Sequence, residues 1–379
     1  MALDLSCSRN IKELPHGTEQ LGNLRRLNIS NTMITILPSG LMSALTLLEE
    51  LLTSNALVFQ IPQPPTSSEF SIDEIISSST LSSLEVDFWY FDLYDLYTKS
   101  GHWVQLDEFE FNVGPGEIQE VSEKRSVIFL GISIARGVMI PANTTELKFV
   151  DCHDVTELTT CLLHVEKLKK CNVVCCYSVE NIVDPGKNEL STVETLVLRF
   201  LINLQMICKE VVTPSTLLSL KIINVECCPN LKNLFSGNLL LQLLNLEEIK
   251  VSHCNSMDEL VRWGGDNIQA AKILLPKLQK LRLEFMPKLK EIYSEFMSIG
   301  SPCTVHVLSC DALKRLPFDL DDAVGLHQQL LEIRGTKYWW DSLEWDEPAV
   351  KQIMQAYFLE LPMVSDQVGS SSTAGRRHM

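Results

Sequence analysis

Twelve cysteines and eight histidines are the residues of this sequence best suited to metal binding or nucleophilic chemistry. Five of the cysteines, Cys152, Cys176, Cys228, Cys254 and Cys310, share one position in a repeated phrase. His153, Cys175, Cys227 and His253 stand directly beside four of them. A tetrahedral zinc site usually starts from a C-x-x-C pair, in which one tight turn presents two thiolates to one ion. No such pair occurs, and the thiols are instead spaced one repeat apart. A Cys/His nucleophile pair drawn from Cys152-His153 or His253-Cys254 would point its two side chains to opposite faces of a strand. No G-x-S-x-G elbow and no G-x-x-x-x-G-K-[ST] phosphate loop is present. The expectation is a non-catalytic chain with no metal and no cofactor. The repeated cysteine then packs as a small, weakly hydrogen-bonding apolar group.

The phrase that positions these thiols is clearest at Leu246-Glu247-Glu248-Ile249-Lys250-Val251-Ser252-His253-Cys254. It reads L-x-x-L-x-L-x-x-C/N, a leucine-rich repeat. Its L-x-L core has period two, so both apolar residues face one way and the residue between them faces the other. One such strand cannot cover its own apolar face, so copies must stack. From residue 144 the strand pairs are Leu147/Phe149, Cys171/Val173, Leu196/Leu198, Ile223/Val225, Ile249/Val251, Leu281/Leu283 and Val305/Val307, in steps of 24 to 32 residues. The predicted fold is an α/β leucine-rich-repeat solenoid. A curved parallel sheet lines the concave face, with loops and short helices on the convex face.

The expected organisation has five parts. Residues 1–59 hold the first repeats, and a third copy at Leu48-Glu49-Glu50-Leu51 then loses the pattern. Residues 60–143 are irregular, with a Pro/Ser-rich excursion around Pro62, Pro64 and Pro65, an apolar segment Ile72 to Ile76, and an aromatic cluster from Phe88 to Tyr97. There, Leu106, Phe109 and Phe111 suggest one strand and Ile128-Phe129-Leu130 another, separated by a Gly114-Pro115-Gly116 turn. Residues 144–325 are the regular repeats. Residues 326–362, with Leu331 to Gly335 as an edge strand and Trp339, Trp340 and Trp345, form a cap over the open end. Residues 363–379 are a Ser/Gly-rich tail expected to be disordered.

Charge narrows the partners. Lys plus Arg is 32 and Asp plus Glu is 48, a net −16, which disfavours nucleic acid and anionic membrane. No uncharged run is long enough to span a bilayer, and no secretory signal opens the chain. Scattered cysteines then suggest reduced thiols and a cytoplasmic location. Binding is expected on the concave strand surface. Its row of intervening residues reads Asp4, Asn28, Glu85 and Glu110, then Lys148, Asn172, Val197, Asn224, Lys250, Arg282 and His306. Charged members are acidic before residue 111 and basic or neutral after it. Arg199, Lys221 and Lys280 add positive charge, diluted by Glu194, Glu247 and Glu248. The partner-binding candidates are Lys148, Asn172, Arg199, Asn224, Lys250, Arg282 and His306.

These motifs together resemble the leucine-rich-repeat region of plant intracellular nucleotide-binding immune receptors of the coiled-coil class. The resemblance is carried by Leu3-Asp4-Leu5-Ser6 with Ile11 to Pro15, by Leu27 to Ile34 ending in Leu37-Pro38, by Cys228 to Leu234, and by Leu275 to Ile292. The ending Trp339-Trp340-Asp341-Ser342-Leu343-Glu344-Trp345 is similar to that family's last segment. The resemblance implies a role in disease resistance. In that family the region holds the receptor inactive against the nucleotide domain and helps to sense pathogen effectors. The implied partners are an effector or guarded host protein, and a nucleotide-binding domain. With no phosphate loop of its own, this chain is expected not to bind ATP or ADP. A ubiquitin-ligase substrate adaptor is the alternative, but it expects an F-box segment ahead of the repeats, and the first repeat begins at Leu3.

Overall fold

A computed structural model describes residues 1–56, 70–116, 124–134, 138–156, 158–162, 164–184, 190–208, 213–263, 273–293, 297–299, 302–316, 330–345 and 348–362. Fifteen parallel strands stack in sequence order from Ala2–Asp4 to Phe358–Glu360. Each strand is short because each repeat spends only a few residues on the sheet before turning away. The regular rungs pair residue for residue. Leu196 lies opposite Cys171 and Ile223, Ile249 opposite Ile223 and Leu281, and Val305 opposite Leu281 and Ile333. All of these residues are 2 % exposed or less. The interior is therefore one continuous column, and the molecule is a leucine-rich-repeat solenoid.

The turn after each strand explains the repeated cysteine. Asp151, Cys175, Phe200, Cys227, His253, Phe285 and Ser309 all take left-handed backbone, with φ between 52 and 57°. That turn drives the next residue inward. Cys152, Cys176, Cys228, Cys254 and Cys310 sit there fully buried. Four of them donate a thiol hydrogen bond to the carbonyl two residues back, as Cys310 does to Leu308 at 3.4 Å and Cys228 to Glu226 at 3.5 Å. Cys152 shares its bond between Val150 and Phe129.

The third copy does not lose the pattern. Glu50–Leu52 pairs with both Arg26–Asn28 and Ser83–Phe88. Thr53 takes the next inward place, and its hydroxyl donates to the Glu85 carbonyl at 2.8 Å, which makes burial tolerable. The prolines of the excursion lie outside the described residues. Ile72–Ile76 is a short helix.

The irregular middle is still sheet. Glu108–Val113 and Ser126–Leu130 pair in parallel, but Phe111 lies opposite Val127 and Val113 opposite Phe129. Val127 and Phe129 are thus the strand's core pair. Gly114 makes the bend between these strands possible: at φ 116° a Cβ there would lie 1.9 Å from the Leu130 carbonyl oxygen. The helix Phe91–Ser100 buries Leu93, Tyr94 and Tyr97, and the two tyrosine rings meet Phe88, Phe111 and Phe129. The aromatic cluster is mostly core, although Trp89 and Tyr90 remain exposed.

Leu330–Gly335 is not the edge strand, because Phe358–Glu360 pairs beyond it. Between them, Thr336 caps the Lys337–Asp341 helix by accepting from the Trp339 backbone N–H. Trp339 donates to the Leu313 carbonyl at 3.1 Å, and Trp340 stacks on Phe358 at 4.4 Å. The tail 363–379 lies outside the described residues.

Candidate protein-binding surface

The strand register decides which outward side chains share a row. Lys148 lies opposite Asn172, followed by Val197, Asn224, Lys250, Arg282, His306 and Arg334. Arg334 extends the row by one rung, an extension hidden in the sequence by the apparent edge position of its strand. At the other end the expected order fails. Glu110 lies opposite Ser126, which lies opposite Glu146. The Lys148 row instead runs back through Ile128 to Asn112 and Asp87. The acidic and basic residues taken as one line are therefore two neighbouring lines.

The candidates differ in accessibility. Lys148 is only 4 % exposed, with its ammonium 3.5 Å from the buried Glu146 carboxylate, so it is not an open contact. Arg199 sits one residue beyond its rung's apolar pair and ion-pairs with Glu226 at 3.3 Å. Asn172 and Asn224 are half-buried, and their side-chain oxygens lack a donor among the described residues. Arg282 pairs with Glu284 at 2.7 Å, and His306 Nε2 stands 3.3 Å from the same carboxylate. Burial and the Arg282 charge hold His306 below the usual imidazole range. Arg334 pairs with Glu332 at 2.8 Å. Lys250 has no ion-pair partner among the described residues. The flanking charges are matched: Lys221 donates to Glu194 at 2.6 Å, and Lys280 lies 3.5 Å from Glu248.

The N-terminal concave surface is acidic. Glu85, Asp87 and Glu110 crowd adjacent rungs. Burial, followed by the Glu85 charge, pushes Glu110 up to about 7. Burial also raises Asp87, although Asn112 and the Asn55 N–H donate to its carboxylate at 2.8 and 2.6 Å.

The repeated thiols are packed into the interior. The hydrogen bond with its neighbour Cys254, and then burial, push Cys228 well above the thiol range. Cys152 is raised in the same way beside Cys176. Burial pushes Cys310 up to about 12. Among the described residues no three His, Cys, Asp or Glu side chains gather as a metal set, and no helix is long and apolar enough to cross a membrane.

Parallel rungs, a left-handed turn and an inward cysteine define the class of this protein as a leucine-rich-repeat solenoid with an open strand face. Residues 192–333 match the family described as plant disease resistance protein RPS2-like, leucine-rich repeats. The chain is similar to Disease resistance protein At4g27190 of Arabidopsis thaliana, with 26 % identity over 94 % of this chain and 37 % of that protein. It is similar to Disease resistance protein RPS5 of the same plant, with 23 % identity over 93 % of this chain and 35 % of that protein. A third relative, Probable disease resistance protein At4g27220, is 34 % identical over 29 % of this chain and 12 % of its own length. The chain spans little more than a third of the length of the first two of these relatives. Its leucine-rich repeats are thus similar to those of plant disease resistance proteins.

Proposed function

We propose that this chain is the effector-recognition and autoinhibitory region of a cytoplasmic immune receptor, acting without catalysis through its concave face. The observation that carries the proposal is the in-register row Asn224, Lys250, Arg282, His306 and Arg334, with Lys250 free of any carboxylate among the described residues. Such a row suits an acidic patch on another protein, where charge complementarity selects the partner and speeds encounter. Asn172 and Asn224 add acceptors for a partner's donors. The acidic rungs at Glu85 and Glu110 suit a surface of opposite sign. Partners of this description are a nucleotide-binding domain, a pathogen effector or a guarded host protein. The five-part organisation, with regular repeats over 144–325 and a cap over 326–362, belongs to the same proposal.

The test is co-purification with a separately expressed nucleotide-binding domain of a related receptor. The Lys250→Glu/Arg282→Glu chain should lose at least tenfold in recovered complex while its thermal unfolding is unchanged. Equal recovery by a stable double variant sinks the concave-face reading.

A further inference from the structure

The flank of the C-terminal rungs carries charge that the concave face does not use. Four residues after the inward turn residues Cys228, Cys254 and Met286 stand Lys232, Asp258 and Lys290. Backbone bonds align them: the Asp258 N–H donates to the Lys232 carbonyl at 3.3 Å, and the Lys290 N–H to the Asp258 carbonyl at 2.8 Å. With Lys288, Ser256, Arg262 and Pro287 they line an open groove of about 600 Å³. Lys232, Lys288 and Lys290 are exposed and have no ion-pair partner among the described residues. Arg262 is already paired with Glu259 and lies 3.9 Å from Asp258. In a chain of net charge −16, three lysines without an ion-pair partner among the described residues line one groove.

We propose that this groove is a second docking surface, separate from the concave face, for an extended acidic peptide segment of a partner protein. The spacing sets the recognition pattern. Lys232 and Lys290 stand two rungs apart, and rungs repeat at about 4.8 Å, so the backbone positions that carry the two lysines are roughly 10 Å apart. A peptide in the extended left-handed helix with three residues per turn advances about 3.1 Å per residue and keeps every third side chain on one face, so carboxylates at i and i+3 reach both. Lys288, on the same loop as Lys290, holds a third carboxylate. Asp258, between the two lysines, opposes such a ligand and tunes its affinity downward. A nucleic acid would need a longer basic track than this acidic chain provides. Solvent-exposed lysines make the contact weak and salt-sensitive.

The experiment uses the full chain and a fluorescein-labelled peptide with glutamates at i, i+3 and i+6 among serines and alanines, read by fluorescence polarisation. Binding should weaken at least tenfold in K232E/K290E, tighten severalfold in D258N, and stay unchanged in K250E/R282E. If K232E/K290E unfolds, K288Q alone should still weaken binding severalfold. The proposal is overturned if folded lysine variants bind like wild type, or if wild type shows no binding. Loss of binding in K250E/R282E instead would place the peptide on the concave face and equally overturn it. So would equal binding of a peptide with contiguous glutamates together with displacement by millimolar inorganic phosphate, which would mark an unspecific anion site.

Discussion

Two stretches of one sheet are filled by different chemistry. Between Phe88 and Phe149 the interior is aromatic. Phe109 and Phe111 stack at 4.7 Å, Phe129 and Phe149 at 5.5 Å, and Tyr94 meets Phe129 edge-on at 5.5 Å. Between Cys171 and Val307 the interior is mostly aliphatic, with thiols at the turns and Phe235 and Tyr293 as its buried rings. The convex side explains the difference. In the aromatic stretch the chain returns through the helix Phe91–Ser100, and a helix is about 10 Å across. In the aliphatic stretch it returns as strands that form small parallel ladders, such as Asn181–Val183 beside Met206–Cys208 and Phe235–Ser236 beside Val261–Arg262. A thicker return leaves a deeper layer for rings to fill. The thinner one closes over branched aliphatics and cysteine.

This contrast can be broken or sharpened by substitution. The largest effect is expected in the aromatic layer. Phe111 is fully buried and touches Phe88, Tyr97 and Phe109. Phe111→Ala should cost about 3–5 kcal/mol, read as early hydrogen exchange between Ser83 and Val150. Exchange spread evenly along the chain would mean that the two stretches are not distinct. At the far end of the aliphatic stretch a Cβ on Gly335 would meet the Trp339 ring at 2.4 Å. Gly335→Ala should therefore cost about 1–3 kcal/mol through overpacking, measured by urea unfolding.

A smaller effect follows pH. Glu110 is raised from 4.5 to about 7 when folded, so the folded state holds a proton that the unfolded state has released. Its contribution falls as pH rises from about 4.5 to 7. Glu110→Gln should remove that slope and gain on the order of 1 kcal/mol at pH 8, seen by comparing thermal midpoints at pH 5 and pH 8. A variant that gains equally at both pH values would show that burial, not charge, governs the site. The smallest change is in thiol kinetics. Exposed Cys7 should react quickly with a thiol reagent, while Cys228, Cys254 and Cys310 react only on unfolding, followed by mass spectrometry of labelled peptides. Rapid labelling of Cys310 in the native protein would contradict the turn packing.

How much was legible follows the same division. Pairs such as Ile249/Val251 alternate cleanly with Lys250 and Ser252, and only one face of that strand can be apolar. In Val127-Ile128-Phe129-Leu130 four apolar residues run together, so period two cannot choose a face. The strand was visible there, but its core pair was not. Thr53 hid a rung because its inward burial depends on the Glu85 carbonyl, a partner 32 residues away. Lys148 read as a surface cation for a related reason, since nothing local shows that it shares the interior with Glu146.

The sequence by itself determined the solenoid, its inward thiols and the alternation of side chains along each regular strand. Those follow from local period and from the need of every apolar stripe for a neighbour. The tertiary structure alone decided which outward residues stand side by side. A shift of two residues between the strands Glu108–Val113 and Ser126–Leu130 keeps the core pattern and moves Glu110 into line with Glu146. Period two is blind to such a step, because moving by two preserves every face and only the hydrogen-bonded register reports it.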